Sequence, residues 1–410
     1  MTTVLEQNKC PITDSTEFYQ YFSLGSMPLV NNLSDTREDS FSCKKVPLTL
    51  QYFPSSKLTS LTHFVDRSTL FQHYLYKSNV NTPYISHCRK MFKDLSRQVT
   101  LKEQDLIVDI GGNDGTLLKT FKQAAKTPLQ FLNIDGSENL TVIAQENGVD
   151  SLCTFFNDKT PDAVGKSAKV ITSTNVFQHL QDINSFVVGV KKLLAVDGVW
   201  LLEFPYWLHD METKQFDQVY HEHMYYYLVT PLVALMHKHS LEVIEVSPQK
   251  IHGGTLRLYI THKASPYYSV DSSVEKYLEK ESQLNLEYYL QWGNKIESHL
   301  AGCKAVLEGL KKAGKTLVGF AASAKGCIFL NSAGITDDVL DVIIDDTDIK
   351  QGKFMPGTGI KICSRAEIDF EKVDFVLILS HNFSDYIIRS LKDEGYEGQF
   401  IICLPELKIL

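Results

Sequence analysis

The sequence predicts an α/β protein in three parts: a small N-terminal piece, a central α/β domain and a second α/β domain at the C-terminus. Three observations predict it. Short apolar strand candidates alternate with helical patterns between residues 106 and 261, which marks an α/β unit. Residues 268–314 are polar, helical and poor in Gly and Pro, as in a connecting helical segment. A second strand–helix alternation then runs from 316 to 403. A chain of 410 residues has room for two to four domains at roughly 100–200 residues each. The boundaries drawn are 1–80, 81–265, 266–314 for the connector, and 315–410.

Taken in order, the first 80 residues read as irregular, with short strand-like pieces such as Val46–Tyr52. Residues 84–100 read as a helix leading into a buried strand, Leu106–Ile110. Further strands are expected at Leu129–Ile134, Lys169–Thr172, Gly198–Phe204, Val243–Val246 and Thr255–Thr261, in a parallel sheet. The C-terminal strands are expected at Thr316–Phe320, Val339–Ile344, Phe375–Leu379 and Gln399–Cys403. With 43% hydrophobic and 22% charged residues, the bulk of the chain is not disordered. A net charge of −8 argues against a basic face for nucleic acid or anionic lipid. No apolar run approaches the ~18 residues of a membrane span, and MTTVLEQNKC lacks a signal-peptide pattern. A soluble cytoplasmic protein without nucleic-acid or membrane partners is expected. The eight cysteines form no C-x-x-C pair, so they are expected to be free thiols in a reducing compartment. Cys153, Cys327 and Cys403, in apolar surroundings, read as small core residues.

The strand ending at Ile110 runs into Gly111-Gly112-Asn113-Asp114-Gly115 and a helix, and the next strand ends at Asp135. Glycines let the backbone turn tightly beside a ligand, and a carboxylate 24 residues after Gly111 suits the hydroxyls of an adenosine ribose. Nicotinamide and S-adenosylmethionine sites share this logic. The G-x-G-x-x-G spacing for a pyrophosphate is absent, and Asp109 and Asp114 flank the turn. Both features favour a sulfonium and an ammonium over a diphosphate. A tight turn with no ligand is the plain alternative. Asn175 and His179, four apart, would share a helix face at the end of the third strand.

Residues 220–223 read Tyr-His-Glu-His. Ionisable groups in succession are costly to bury without a task, and histidine is the usual base near neutral pH. If the segment is extended, His221 and His223 share a face. Catalysis, a solvated loop and a two-histidine metal site all stay open, in that order. His252-Gly253-Gly254-Thr255-Leu256-Arg257 suits a loop contacting phosphate or sugar, although Arg257 also fits an ordinary strand surface. Ser323-Ala324-Lys325 follows a C-terminal strand, with Lys350 and Lys353 beyond the next. That layout can cradle a phosphate, or serve only close packing.

Together these segments resemble the sugar C-methyltransferases of deoxysugar pathways, which methylate C3 of a nucleotide-linked 4-keto-sugar. The resemblance spans nearly the whole chain. It includes Leu24–Leu29, Tyr74–Ser78, Gly112–Leu118, Asn175–His179, Glu203–Tyr206, Tyr220–His223, His252–Arg257, Ser323–Gly326, Lys350–Lys353 and Pro356–Thr358. It implies a small N-terminal zinc-type domain, a central class I (Rossmann-like) S-adenosylmethionine domain and a C-terminal Rossmann-like domain. It also implies that Gly112, Asn113, Asp114 and Asp135 line the methyl-donor pocket, and that Tyr76, His179, Tyr220, Glu222 and His223 surround the sugar. In that scheme His223 is the base, Glu222 orients it, and Tyr220 or His179 holds the enolate oxygen. His252–Arg257 and the C-terminal domain would hold the sugar nucleotide. The family's four zinc cysteines correspond here to Cys10, Thr13, Phe53 and Ser56, so the zinc site is expected to be lost. Ala321 replaces a glycine, and Gly359 stands where the family has histidine.

Overall fold

The computed structural model describes residues 4–66, 70, 82–251 and 254–410. Tyr76, His252 and Gly253 lie outside them. Strand β1 (Val4–Glu6) pairs with β5 (His63–Val65). Strands β2 (Tyr19–Pro28), β3 (Lys45–Phe53) and β4 (Leu58–Leu61) form an antiparallel sheet, later joined at its edge by β11 (Tyr225–Tyr226). The N-terminal piece is therefore a sheet, not the irregular segment its sequence suggested. All of β4 and the last half of β3 are buried, so the alternation of a half-exposed strand is missing there.

The central sheet takes β6 (Leu106–Ile110), β7 (Gln130–Asp135), β8 (Asp150–Cys153), β9 (Ala168–Thr174), β10 (Leu194–Pro205), β12 (Leu241–Gln249) and β13 (Thr255–His262). Their order is β12-β13-β10-β9-β6-β7-β8. The first five run parallel, but β13 is antiparallel to β10 and β12 to β13. The sheet is mixed rather than wholly parallel. A connection as short as 250–254 joins neighbouring strands only as a hairpin. The chain leaves β6 outward to β7 and β8, then returns to β9 on the other side of β6. Ligands bind α/β sheets at such a reversal, outside the carboxyl ends of the strands. Cys153 ends the edge strand β8 and is exposed, whereas Cys327 and Cys403 are buried.

The C-terminal sheet has the order β16-β15-β14-β17-β18-β19. It comprises β14 (Leu317–Phe320), β15 (Val342–Ile344), β16 (Lys361–Cys363), β17 (Phe375–Ile378), β18 (Gln399–Ile402) and β19 (Lys408–Ile409). Helices Ser272–Glu281 and Leu286–Lys312 connect it to the central sheet. The longer helix buries Tyr289, Trp292, Ile296, Leu300, Cys303 and Leu307, a stripe at the three-and-four spacing of one helix face. Trp292 stacks edge-on against Phe22 of β2 at 4.8 Å and Trp207 at 5.2 Å. This helix thus binds the N-terminal sheet to the central unit. The N-terminal and C-terminal parts also meet directly. Ser40 Oγ donates to Met355 O at 2.6 Å and accepts from Gly359 N at 3.0 Å. Gly359 has φ +71°, and a Cβ there would run into the Phe41 ring. Packing therefore accounts for the glycine. No helix of the described residues is long and apolar enough to cross a membrane.

Candidate active site

The glycine turn after β6 lies at the β6/β9 reversal. Gly111 N donates to Ile134 O at 2.7 Å, and its φ of +70° suits a glycine. A Cβ on Gly112 would run into Asn133 Oδ1 and Asp109 Oδ2. Among the described residues, Asn133 Oδ1 is buried without a hydrogen-bond partner. Asn113 takes a left-handed φ of +55° and its N–H donates to Asp135 Oδ2 at 2.9 Å; Ser137 N donates to Oδ1 at 2.8 Å. Asp135 stays half-buried at the rim. Burial raises its carboxyl, opposed by these N–H groups. Asp109 lies beneath the turn and accepts from Thr172 Oγ1 at 2.7 Å. Burial pushes it up to about 7, with the Asp135 and Glu203 carboxylates adding to the rise. Asn175, also left-handed with φ +55°, holds the end of β9 through Asn175 N to Glu203 O at 3.0 Å. It is therefore not at a helix start; only Phe177–His179 form a short 3-10 turn. A glycine cradle, an orphaned acceptor and a rim carboxylate together fit an adenosine-bearing ligand.

Asp114 departs from expectation. It is fully buried, and its Oδ1 accepts from Thr116 N and Thr116 Oγ1 at 3.2 and 2.6 Å. Through these bonds it holds Thr116, the first residue of the helix Thr116–Ala124, whose N-cap is Gly115.

The Tyr-His-Glu-His segment is a turn, not an extended strand. His223 N donates to Tyr220 O at 2.9 Å, which folds the imidazole under the phenol. Tyr220 OH lies 2.7 Å from His223 Nε2, with ring centres 4.0 Å apart. His223 Nδ1 lies 2.9 Å from Gln218 O. A carbonyl only accepts, so the neutral ring carries its proton on Nδ1 and its lone pair on Nε2. Gln218, and not Glu222, therefore orients His223. His179 Nδ1 likewise donates to the Glu222 carbonyl at 2.6 Å, and its ring lies 5.0 Å from that of His223. Burial pulls His179 down to about 4. It pulls His223 well below the ordinary histidine range, with His179 adding to the effect. Both rings are neutral near pH 7. Burial pushes the Glu222 carboxyl up to about 7, opposed by a hydrogen bond from Asn31 Nδ2 at 2.5 Å. Behind His223, a cavity of about 10 Å³ is lined by Gln178, Trp207, Asp210 and Gln218. It has room for about one water and none for a sugar. The open side of the cluster is that of Tyr220 and His179, both half-buried.

His221 turns away from this cluster. It is buried with Nε2 3.1 Å from Val46 O of β3, so it ties down the N-terminal sheet and shares no face with His223. Among the described residues, no three His, Cys, Asp or Glu side chains are placed to hold a metal ion. At the positions matching zinc ligands, Cys10 Sγ lies 3.1 Å from Ser56 Oγ, Thr13 bonds Ser55 at 2.6 Å, and Phe53 is core.

The residues read as substrate contacts are mostly committed elsewhere. Arg257 stands opposite Glu203 across β13 and β10, is fully buried, and its Nε donates to Glu203 Oε1 at 2.6 Å. Lys350 Nζ donates to Ala322 O at 2.9 Å and Asp345 Oδ2 at 3.1 Å. Lys353 Nζ bonds Asp35 Oδ1 at 2.5 Å. Ser323 caps the helix Ala324–Ala333, accepting from Gly326 N at 3.0 Å. Among the described residues Lys325 Nζ is buried without a hydrogen-bond partner, and the buried carboxyls of Asp210 and Asp217 feel its charge. Arg257 and Lys350 thus meet an internal acid or carbonyl, whereas Lys353 pairs with Asp35 at the surface. Sequence reasoning missed Asn31 and Gln218. Asn31 follows the Leu24–Leu29 motif by two residues, which was the available signal; Gln218 acts through its backbone and left none.

Family models match two stretches of this chain. Residues 82–246 match a methyltransferase domain, and residues 250–405 a C-methyltransferase C-terminal domain. The C-methyltransferase NovU of Streptomyces niveus is 28% identical over 409 residues, 98% of this chain and 97% of its own. The chain belongs to the C-methyltransferase family. This C-methyltransferase uses S-adenosylmethionine as methyl donor. Among solved structures, it aligns with magnesium protoporphyrin IX methyltransferase (ChlM) from Synechocystis PCC 6803 with bound SAH, at 13% identity and TM-score 0.36. That match covers 44% of this chain and 84% of the other. The plantazolicin methyltransferase BpumL with a triazolic analogue and SAH aligns at 14% identity and TM-score 0.37, over 45% and 87% of the chains.

Proposed function

We propose that this C-methyltransferase acts on C3 of a nucleotide-linked 4-keto-deoxysugar, through an enolate, in the cytoplasm. The observation that carries the reading is the Tyr220–His223 pair, with the imidazole locked as a proton acceptor by Gln218 O. A carbon bearing hydrogen is not a nucleophile until a base removes that proton and the oxygen of the resulting enolate is stabilised. In this reading His223 Nε2 takes the C3 proton. The Tyr220 O–H, released from Nε2, turns to the enolate oxygen. His179 is less suited to that donor role. Its neutral ring presents a lone pair at Nε2, toward which Gln178 Nε2 points at 3.4 Å. S-adenosylmethionine supplies the electrophilic methyl group. Gly111, Gly112, Asn113 and Asp135 would hold it, with Asp109 supporting the turn and Asn175 closing the β9 side. The rest of the catalysis is positioning of the carbanion against the methyl carbon.

The domain division at 80, 265 and 314 belongs to the same proposal, as does the loss of zinc. The nucleotide would lie at the carboxyl ends of the C-terminal strands. The test is incubation with labelled S-adenosylmethionine and a panel of nucleoside-diphosphate 4-keto-sugars. His223→Asn should lower turnover by roughly 10²–10⁴-fold and stop exchange of the C3 proton with deuterated water. If His223→Asn exchanges fully while Glu222→Gln does not, Glu222 is the base. Methyl transfer to oxygen or nitrogen alone would overturn the substrate assignment.

A further inference from the structure

We infer that Asn31 is a positioning residue of the reacting centre, and that its side-chain amide holds the Glu222 carboxyl from the N-terminal piece. The inference rests on the reading of Glu222 as part of that centre. Asn31 Nδ2 reaches Glu222 Oε1 across 191 residues of sequence. Glu222 is 4% exposed, whereas Asn31 is exposed.

The turn that carries Asn31 is braced on both sides. Asn32 N donates to Leu29 O at 3.1 Å, next to the end of β2. Ser34 and Phe354 then exchange both backbone hydrogen bonds, at 3.1 and 2.8 Å, which pins the turn to the C-terminal part. Asn31 is thus set by the N-terminal sheet and the C-terminal domain together, while Glu222 belongs to the central one. The residue type fits the task. A neutral amide donates a hydrogen bond that favours the ionised carboxyl, yet adds no charge beside it. Lysine would make a full ion pair, and aspartate would add a competing carboxylate. On this reasoning the centre is complete only when the N-terminal piece is docked.

The test is a double-mutant cycle on the full chain, with Asn31→Ala, Glu222→Gln and the pair. The readouts are steady-state methylation of a nucleoside-diphosphate 4-keto-6-deoxyhexose and deuterium exchange at its C3. Asn31→Ala is expected to lower kcat about 10- to 100-fold, with KM for S-adenosylmethionine unchanged and only the small fall in Tm that one lost bond to a buried carboxyl brings. In the Glu222→Gln background the same substitution should change kcat less than about twofold, since its partner is already altered. Asn31→Asp keeps the shape and sets two carboxyls together, and should be as impaired as Asn31→Ala. If Glu222→Gln is impaired but Asn31→Ala is fully active, or its loss simply adds to that of Glu222→Gln, Asn31 does not act through Glu222. The inference then falls and the role of Glu222 stands. If Glu222→Gln is fully active, both fall.

Discussion

Arg257 separates a binding role from a structural one, so its removal is the most informative perturbation. Its guanidinium is fully buried, with Nε 2.6 Å from Glu203 Oε1 and Nη1 3.5 Å from Asp94 Oδ2. Glu203 is 1% exposed on its side chain, and its other partner is His87 Nε2 at 2.8 Å. Burial pushes Glu203 up, but the His87 hydrogen bond and the Arg257 charge outweigh it and hold the carboxyl below the ordinary value. Arg257→Met keeps much of the volume and removes the charge. Breaking one side of a buried ion pair costs roughly 3–5 kcal/mol, against a typical total of about 5–15 kcal/mol. For a cooperative unit the size of the central domain that is a fall in Tm of about 6–20 °C. The sign of the pH dependence follows from linkage. In the wild type a depressed folded pKa contributes stability above the unfolded pKa, and that stability is lost as pH falls through the folded value. In Arg257→Met the Arg257 contribution is gone and His87 alone opposes burial, so the folded Glu203 binds a proton more readily than in the wild type. The variant then gains stability relative to wild type as pH falls, and the gap between the two narrows below about pH 5. Glu203→Gln with Arg257→Met should recover part of the loss at neutral pH. The assay is thermal unfolding from pH 4 to 8 beside KM for the sugar nucleotide. A variant with wild-type Tm at neutral pH and a raised KM would refute the reasoning and return Arg257 to the substrate.

Asp135→Ala should weaken S-adenosylmethionine binding about 5- to 150-fold by calorimetry, on the order of 1–3 kcal/mol for two polar hydroxyls left poorly paired; unchanged affinity would remove the donor site from this turn. Gly302 and Gly309 sit exposed inside the helix Leu286–Lys312, and a Cβ at either meets nothing within 4 Å. Each Gly→Ala change should therefore stabilise by about 0.5–1 kcal/mol, and a lower Tm in the double variant would contradict that. Elemental analysis should find less than stoichiometric zinc, and chelator should leave Tm unchanged, because Thr13, Phe53 and Ser56 replace thiolates poorly. One zinc per chain would overturn this.

The parts of the fold that were legible in the sequence are those where one residue type has one physical use. The strand Leu106–Ile110 was placed to the residue because a fully buried β-run ended at glycines. Asp135 was legible because a carboxylate closing the next strand reaches back to the preceding turn, and it does so through Asn113 N. The Tyr220–His223 cluster was visible by its density of ionisable groups, but its shape was not. Alternation was assumed, and the turn that stacks Tyr220 on His223 reverses which neighbours touch. Arg257 was misplaced because a lone arginine after a glycine pair reads as exposed until its cross-strand partner Glu203 is known, and that register is a non-local fact. Asn31 lay further out of reach, because its place just after the Leu24–Leu29 motif marks the turn but not the contact with Glu222, which only the fold supplies.

The two α/β units repeat one piece of backbone logic with opposite outcomes. In the central unit Asp135 accepts from Asn113 N at 2.9 Å and Ser137 N at 2.8 Å. In the C-terminal unit Asp345 accepts from Ala322 N at 2.7 Å and Thr347 N at 2.9 Å, the corresponding places after β14 and β15. Both preceding turns contain a left-handed residue that is not glycine, Asn113 with φ +55° and Ala321 with φ +75°. The difference lies in what reaches the carboxylate next. Lys350 Nζ takes Asp345 Oδ2 and the Ala322 carbonyl together, and Asp345 is left 6% exposed. Among the described residues no such cation is bonded to Asp135, which remains half-buried at its rim. A carboxylate has about four lone-pair positions, so the two backbone bonds and the Ser137 hydroxyl leave Asp135 room for a ribose hydroxyl. The same two bonds plus an ammonium group leave Asp345 a packed junction. One lysine, rather than the glycine pattern of the turn, separates the proposed donor site from its structural counterpart.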